Sequence, residues 1–278
     1  MTAPCGSWSI AVLQAPTLEG LAQVVPQQPS ITGEDLAAFG GTGAADPFAI
    51  QRADGWYVFF ECFMANSKNA TIACARSADL VAWEQLGIVL QAPHHLSYPF
   101  VFEHDGSIFM MPESKSVRRV DLYRAIDFPM QWKFEKTLLR GRLMDASMVK
   151  YRDRYWIFAG WRSYWLRIFH AEHPLGPWRS HWLPTIGFYN KASTRPGGRP
   201  ILLDGQLIRL SQDNVQYYGH QLRAWQVTTL NRFWYRDRAI LDRPILQPSG
   251  VGWNGRQMHH ADIHPQPDGH LIAFVDGA

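Results

Sequence analysis

The chain repeats one short pattern five times, and that pattern limits the folds open to it. An Asp-Gly pair, or a near equivalent, precedes an apolar strand at Asp54-Gly-Trp-Tyr-Val-Phe-Phe, Asp105-Gly-Ser-Ile-Phe-Met-Met and Asp153-Arg-Tyr-Trp-Ile-Phe. It recurs at Asp204-Gly-Gln-Leu-Ile-Arg-Leu and Asp268-Gly-His-Leu-Ile-Ala-Phe. The intervals are 51, 48, 51 and 64 residues. Asp-Gly between two apolar runs marks a tight hairpin, because glycine supplies the positive φ that such turns need. One hairpin occurs in any β protein. Five at a near-constant interval indicate a radially repeated unit.

Each turn follows a short strand-like run: Asp46-Pro-Phe-Ala-Ile, Ser97-Tyr-Pro-Phe-Val-Phe, Asp145-Ala-Ser-Met-Val, Gly198-Arg-Pro-Ile-Leu and His260-Ala-Asp-Ile-His. A third strand follows, and in the first three units a Trp (Trp83, Trp132, Trp178) opens a fourth strand at constant spacing. Four antiparallel strands per roughly 50 residues describe a β-propeller blade. The sequence therefore predicts an all-β, single-domain, five-bladed β-propeller with very little helix. The blades fall at about 44–90, 95–140, 143–185, 195–245 and 256–278. The fifth repeat lacks outer strands, so residues 7–14, with the apolar run Trp8-Ser-Ile-Ala-Val-Leu13, are expected to complete it and close the ring. A two-sheet sandwich is the rival architecture.

Composition narrows the function. Apolar residues make up 46% and charged residues 18%, which suits a folded core. A net charge of +3 is too small to imply nucleic acid or an anionic membrane. Cys5, Cys62 and Cys74 are odd in number and lack CxxC spacing, so structural thiols are expected, not disulfides or a zinc site. No run approaches the ~18 apolar residues of a membrane span, and no basic-then-apolar leader is visible, so the expected compartment is the cytoplasm. Nucleotide loops, nucleophile elbows and HExxH are absent, and no cofactor or metal is expected. Twelve Trp among 37 aromatic residues fit packed blade faces or a sugar-stacking surface.

In a propeller the first strand of every blade lines the axis. Stepping back eight residues from each turn yields Asp46, Ser97, Asp145, Pro196 and His260, with Tyr98, Arg195 and His259 as neighbours. The ends of the second strands add Glu61, Glu113 and Asp213. Glu113, after the apolar Ile108–Pro112, is expected to be half-buried and therefore shifted toward general-acid behaviour. Glu61 reads as structural. His95 and His259-His260 are read as pocket-lining groups that bind hydroxyls or hold carboxylates. Trp161, with Trp165, is a candidate sugar-stacking residue.

Several of these segments resemble a known family. Ala45-Asp-Pro-Phe48, His95-Leu-Ser-Tyr-Pro-Phe100, Met111-Pro-Glu-Ser114, Leu122-Tyr-Arg124, Phe128-Pro-x-x-Trp132, Gly176-Pro-Trp178, Gln212-Asp213 and Tyr218-Gly219 resemble the propeller at the N-terminus of plant glucosamine inositolphosphorylceramide transferases. Similar domains accompany some bacterial sugar formyltransferases. More distantly, the Asp-Pro opening and Ser77-x-Asp-Leu-x-x-Trp83 resemble five-bladed glycoside hydrolases of family 43. The distant resemblance implies Asp46 as general base, Asp145 as a tuner of pKa and Glu113 as general acid, although Glu113 sits on a second strand, unlike the hydrolase acid. The expected ligand is a carbohydrate or glycoconjugate, bound also by His95, Tyr98, Arg195, Asp213, His259, His260 and Trp161. Two functions follow: a hydrolase-like enzyme cleaving a glycosidic bond with inversion, or a non-catalytic glycan-recognition propeller working with a sugar-modifying transferase.

Overall fold

The computed structural model describes residues 8–24, 28–162, 164–187 and 190–278; Cys5 and Ser7 lie outside these ranges. Strand β1 (Ser9–Ala15) and a single-turn helix α1 (Leu18–Leu21) precede the first blade. That blade runs β2 (Gly41–Arg52), β3 (Gly55–Met64), β4 (Thr71–Ser77), β5 (Glu84–Leu90). The second runs β6 (Ser97–His104), β7 (Ser107–Ser114), β8 (Arg119–Asp127), β9 (Gln131–Arg140). The third runs β10 (Leu143–Tyr151), β11 (Arg154–Trp161), β12 (Trp165–Ala171), β13 (Arg179–Ser180).

In the fourth blade β14 (Arg195–Pro196) and β15 (Ile201–Leu203) both pair with β16 (Gln206–Asp213), followed by β17 (Gln221–Leu230) and β18 (Tyr235–Ala239). The fifth holds β19 (Ala261–Pro265) and β20 (Leu271–Gly277). Its third strand is β1, which pairs antiparallel with β20 from Ser9–Gly277 to Ala15–Leu271. The N-terminal strand thus closes the ring of five blades. The closing blade has three strands in the order β1-β20-β19. Among the described residues no helix is long and apolar enough to cross a membrane.

The hairpin chemistry is visible in the dihedrals. Asp105 and Gly106 both take positive φ, 47° and 71°, as do Asp204 and Gly205, 49° and 74°. That is the two-residue turn whose twist matches the flanking strands. Each blade is packed on both faces, so its middle strand needs no polar alternation: β3 is buried continuously from Trp56 to Cys62. Phe48, Phe59 and Phe100 interlock between the first two blades with 2% exposure or less. Each contributes about 1.5–3 kcal/mol by leaving water. Much of the aromatic content is therefore blade packing, with Trp56 and Trp156 buried, while Trp182 and Trp234 stay exposed. Cys62 and Cys74 are buried free thiols.

The innermost strands share a local irregularity that builds the site. Register shifts at Asp46–Pro47, Tyr98–Pro99 and Asp145–Ala146 are β-bulges in the first, second and third blades. At each bulge the first residue is left-handed, with φ of 52°, 48° and 51°. Such a conformation costs a non-glycine residue about 1–2 kcal/mol, so something must hold it. For Asp46 and Asp145 the holder is a carboxylate at the end of the preceding blade's second strand. The Asp46 N–H donates to Asp276 Oδ2 (3.1 Å) and the Asp145 N–H donates to Glu113 Oε2 (2.9 Å). The fourth blade departs from this plan. A Cβ on Gly198, at φ 145°, would stand 1.8 Å from the Ala261 carbonyl oxygen, so backbone contact with the fifth blade excludes any side chain there.

Candidate functional site

A cavity of about 780 Å³ opens at the axis. Asp46, His95, Glu113, Arg195 and His259 line it, together with Trp8, Glu61, Lys115 and Tyr218. The first five are residues singled out from sequence; they come from four of the five blades.

Glu113 and Asp145 form the best-defined pair. Asp145 is sealed beneath the cavity surface at 1% exposure. Its carboxylate is paired with the Arg195 guanidinium and accepts from Gln212 Nε2 (2.8 Å). Burial works against its charged form, but Arg195 outweighs burial and holds it below the ordinary carboxylate range. Glu113 has the opposite balance. Burial, reinforced by the negative field of Asp145, pushes its carboxyl from 4.5 to about 8. One carboxyl is locked ionised and its neighbour is held protonated at neutral pH.

Asp46 also tends to the neutral form. Burial, then the fields of Glu61, Asp145 and Asp276, push its carboxyl well above the ordinary value. Its Oδ1 is buried without a hydrogen-bond partner, and so is Nδ1 of His260, 3.6 Å away. His260 donates from Nε2 to the Pro47 carbonyl (2.8 Å) and burial lowers its pKa to about 4, so Nδ1 is a bare acceptor. One proton on Asp46 Oδ1 matches the two orphaned atoms to each other.

Asp276 fixes the opposite wall. It accepts from the backbone N–H groups of Asp46, His259 and His260 and from Nδ1 of His259. Burial opposes its ionisation, but His259 and these donors prevail and keep it low. His259 is packed against Trp8, ring centroids 4.5 Å apart, and its Nε2 lies 3.3 Å from the Tyr218 hydroxyl. Ligand-type atoms of Asp46, His259 and Asp276 come within 4.8 Å of one another. The four N–H donors on Asp276 already occupy the oxygens a cation would need, so this donor set is a poor metal cage. On the other side, His95 Nε2 donates to Glu61 Oε1 (3.1 Å) and its Nδ1 accepts from the Ala70 N–H. Glu61 favours protonation of His95, while the amide at Nδ1 selects the neutral Nε2–H tautomer.

Five proposed site residues do not line the cavity. Asp145 supports it from beneath, as described. Tyr98 is wholly buried, where its hydroxyl accepts from the Gly198 N–H (2.7 Å) and meets Ser147 (2.7 Å); it ties the second, third and fourth blades together. His260 sits behind Asp46. Asp213 is committed to Arg223 (2.7 Å) and Gln221 (2.8 Å), and the adjacent Gln212 takes the inward position. Trp161 lies outside the cavity with Arg162 4.5 Å above its ring. Conversely, Glu61, read as structural, lines the cavity, and Asp276 was not singled out. The signal for Asp276 was present. Seven or eight residues after each turn stand Glu61, Glu113, Gln212 and Asp276, one inward polar residue per blade in all but the third.

The sequence model of the family "Glucosamine inositolphosphorylceramide transferase 1, N-terminal" matches residues 24–278. The chain belongs to this family. It is 37% identical over 246 residues to glucosamine inositolphosphorylceramide transferase 1 of Arabidopsis thaliana, covering 84% of this chain and 32% of that protein. Identity to the protein of the same name from Oryza sativa subsp. japonica is 35% over 243 residues, 84% of this chain and 33% of that one. The chain therefore spans about a third of the length of these relatives. The fold resembles an exo-1,5-alpha-L-arabinanase from a bovine ruminal metagenomic library, with TM-score 0.63 and 12% identity over 77% of this chain and 85% of that one. It also resembles a family 117 glycoside hydrolase of Zobellia galactanivorans, with TM-score 0.57 and 13% identity over 98% and 92%. These likenesses show the fold, the five-bladed β-propeller that those glycoside hydrolases also adopt.

Proposed function

We propose that the protein is a glycan-recognition propeller whose axial cavity holds a sugar through neutral carboxyl groups. The supporting observation is the ionisation pattern. Asp145 is ionised but sealed by Arg195 and Gln212, whereas Asp46 and Glu113, which face the cavity, are both held toward the protonated form. A neutral carboxyl donates one hydrogen bond and accepts others, as a sugar hydroxyl requires. Glu113 as donor, Asp46 as acceptor with its proton turned to His260, and His95, Arg195 and the Tyr218 hydroxyl offer a mixed set of donors and acceptors in a space large enough for a saccharide. Family membership agrees, since the relatives carry the name of a sugar transferase.

A second reading, glycosidic cleavage, is favoured by one feature. A carboxyl at about 8, beside an ionised carboxylate, is suited to protonate a leaving oxygen. Asp46 would then have to lose its proton when the substrate binds, in order to activate water. One experiment separates the two. Titrate an oligosaccharide panel into the wild type, Glu113→Gln and Asp46→Asn by calorimetry, and assay each mixture for released reducing ends. Recognition predicts saturable binding with no product. Product formation abolished by Glu113→Gln supports cleavage, and failure of every glycan to bind overturns the proposal.

A further inference from the structure

A second concentration of charge lies at the edge of the third blade and shares no residue with the axial cavity. On β12, His170 stands opposite Trp156 of β11 and, on its other side, opposite Arg179 of β13. The fourth blade closes over this row with the turn between β17 and β18. His181 Nε2 donates to the Asn231 carbonyl (2.7 Å), and the Trp182 N–H donates to the Arg232 carbonyl (3.0 Å). The two blades enclose a cavity of about 120 Å³ lined by Arg154, His170, Arg179 and Arg232, with Glu172 and Pro177. At ~30 Å³ per water, that is room for about four waters, too small for a sugar but sufficient for a tetrahedral anion.

The cations are poorly compensated. Arg154 reaches Glu172 (3.3 Å) and Asp153 (3.8 Å), but those carboxylates are 82% and 83% exposed, where ion pairs contribute little. Among the described residues, Arg179 and Arg232 make no ion pair. His170 supplies an independent sign. It is 6% exposed, and its Nδ1 is buried without a hydrogen-bond partner. Burial, then Arg154, Arg232, His181 and Arg179, lowers its proton affinity. Three guanidinium groups, those of Arg179 and Arg232 exposed to solvent, thus converge on one small cavity beside a buried imidazole that has an unpartnered nitrogen.

We propose that this cavity binds a phosphate group, clamped by Arg154, Arg179 and Arg232 and hydrogen-bonded by His170. Guanidinium forks match phosphate oxygens, and an imidazole beside a dianion takes up a proton and donates from Nδ1. The phosphate could belong to a soluble ester or a lipid headgroup. Neighbouring residues bear on that choice. Trp182, Phe233 and Trp234 are 74%, 51% and 64% exposed, and Asn231 Oδ1 accepts from the N–H groups of Phe233 and Trp234, which fixes their turn.

The test titrates inorganic phosphate into the intact chain by calorimetry while NMR follows the His170 ring. One saturable site is expected. Arg179→Ala and Arg232→Ala should each weaken it about tenfold to a hundredfold, the loss of one charge-assisted contact. Arg140→Ala, at an exposed arginine elsewhere, should leave it unchanged. Phosphate should also raise the His170 titration midpoint in the wild type, a readout that needs no variant. No saturable binding, equal affinity in the two arginine variants or an unmoved His170 midpoint would overturn the proposal. Vesicles of phosphatidylcholine with phosphatidic acid, against phosphatidylcholine alone, identify the source. Capture that phosphate competes away and that Trp234→Ala weakens assigns a lipid headgroup. Phosphate binding without vesicle capture assigns a soluble phosphate. Capture that survives Arg179→Ala with Arg232→Ala is adsorption through the aromatics and counts against the site.

Discussion

Replacing Glu113 with Gln tests the ionisation of the cavity through stability alone. In the unfolded chain Glu113 loses its proton near 4.5, whereas in the folded protein it keeps it to about 8. Between those values the native state binds the extra proton, so the wild type loses stability as pH rises through that window. At about 1.4 kcal/mol per pH unit the full effect is roughly 5 kcal/mol above pH 8, and about 3 kcal/mol at pH 7. Glutamine cannot ionise, and its amide oxygen can still accept the Asp145 N–H. Glu113→Gln should therefore match or fall below the wild type near pH 4.5 and gain on it steadily up to about pH 8. Beyond that the difference should stay constant. Urea unfolding of both proteins across this range gives the curve directly. Parallel stability–pH curves would show that Glu113 ionises normally in the folded protein and would remove the basis of the neutral-carboxyl site.

Other outcomes follow from the same geometry. Tyr98→Phe strands the buried Gly198 N–H and should cost about 1–3 kcal/mol in denaturant unfolding, with glycan affinity unchanged because Tyr98 does not reach the cavity. Arg195→Ala leaves Asp145 without its buried counter-charge and should destabilise by about 3–5 kcal/mol, measured as a lower urea midpoint. Asp213→Asn should leave glycan affinity within error, since Arg223 and Gln221 hold that carboxylate away from the axis.

The architecture was legible because it repeats. Five hairpin turns set the blade count, and the apolar run from Trp8 to Leu13 ahead of the first repeat marked β1, which pairs with β20 in the fifth blade. The site was legible only to the resolution of that repeat. Stepping back a fixed eight residues found Asp46 and Asp145 but placed Ser97 where Tyr98 belongs, because the interval to the turn is one residue shorter in the second blade. A one-residue step inverts which face a strand residue presents, which is also why Asp213 was chosen where Gln212 faces inward. In the fourth blade the backbone approaches the Ala261 carbonyl so closely that only glycine fits at Gly198, and no strand pattern announces such an approach. The raised pKa of Glu113 was legible from the apolar run before it, but the states of Asp145 and Asp46 lie beyond sequence. They depend on Arg195 crossing from the fourth blade to Asp145 in the third, and on Asp276 reaching the bulge of the first.

The most direct test of the account is the pH dependence of affinity for the tightest-binding glycan, measured by calorimetry with the wild type from about pH 5 to 9. If a protonated Glu113 donates to the ligand, affinity stays level through neutral pH and falls as pH passes about 8, and Glu113→Gln removes that fall. Affinity that instead rises as pH passes through the ordinary carboxylate range and stays high at pH 9 would mean that the cavity binds through ionised carboxylates, contrary to the account.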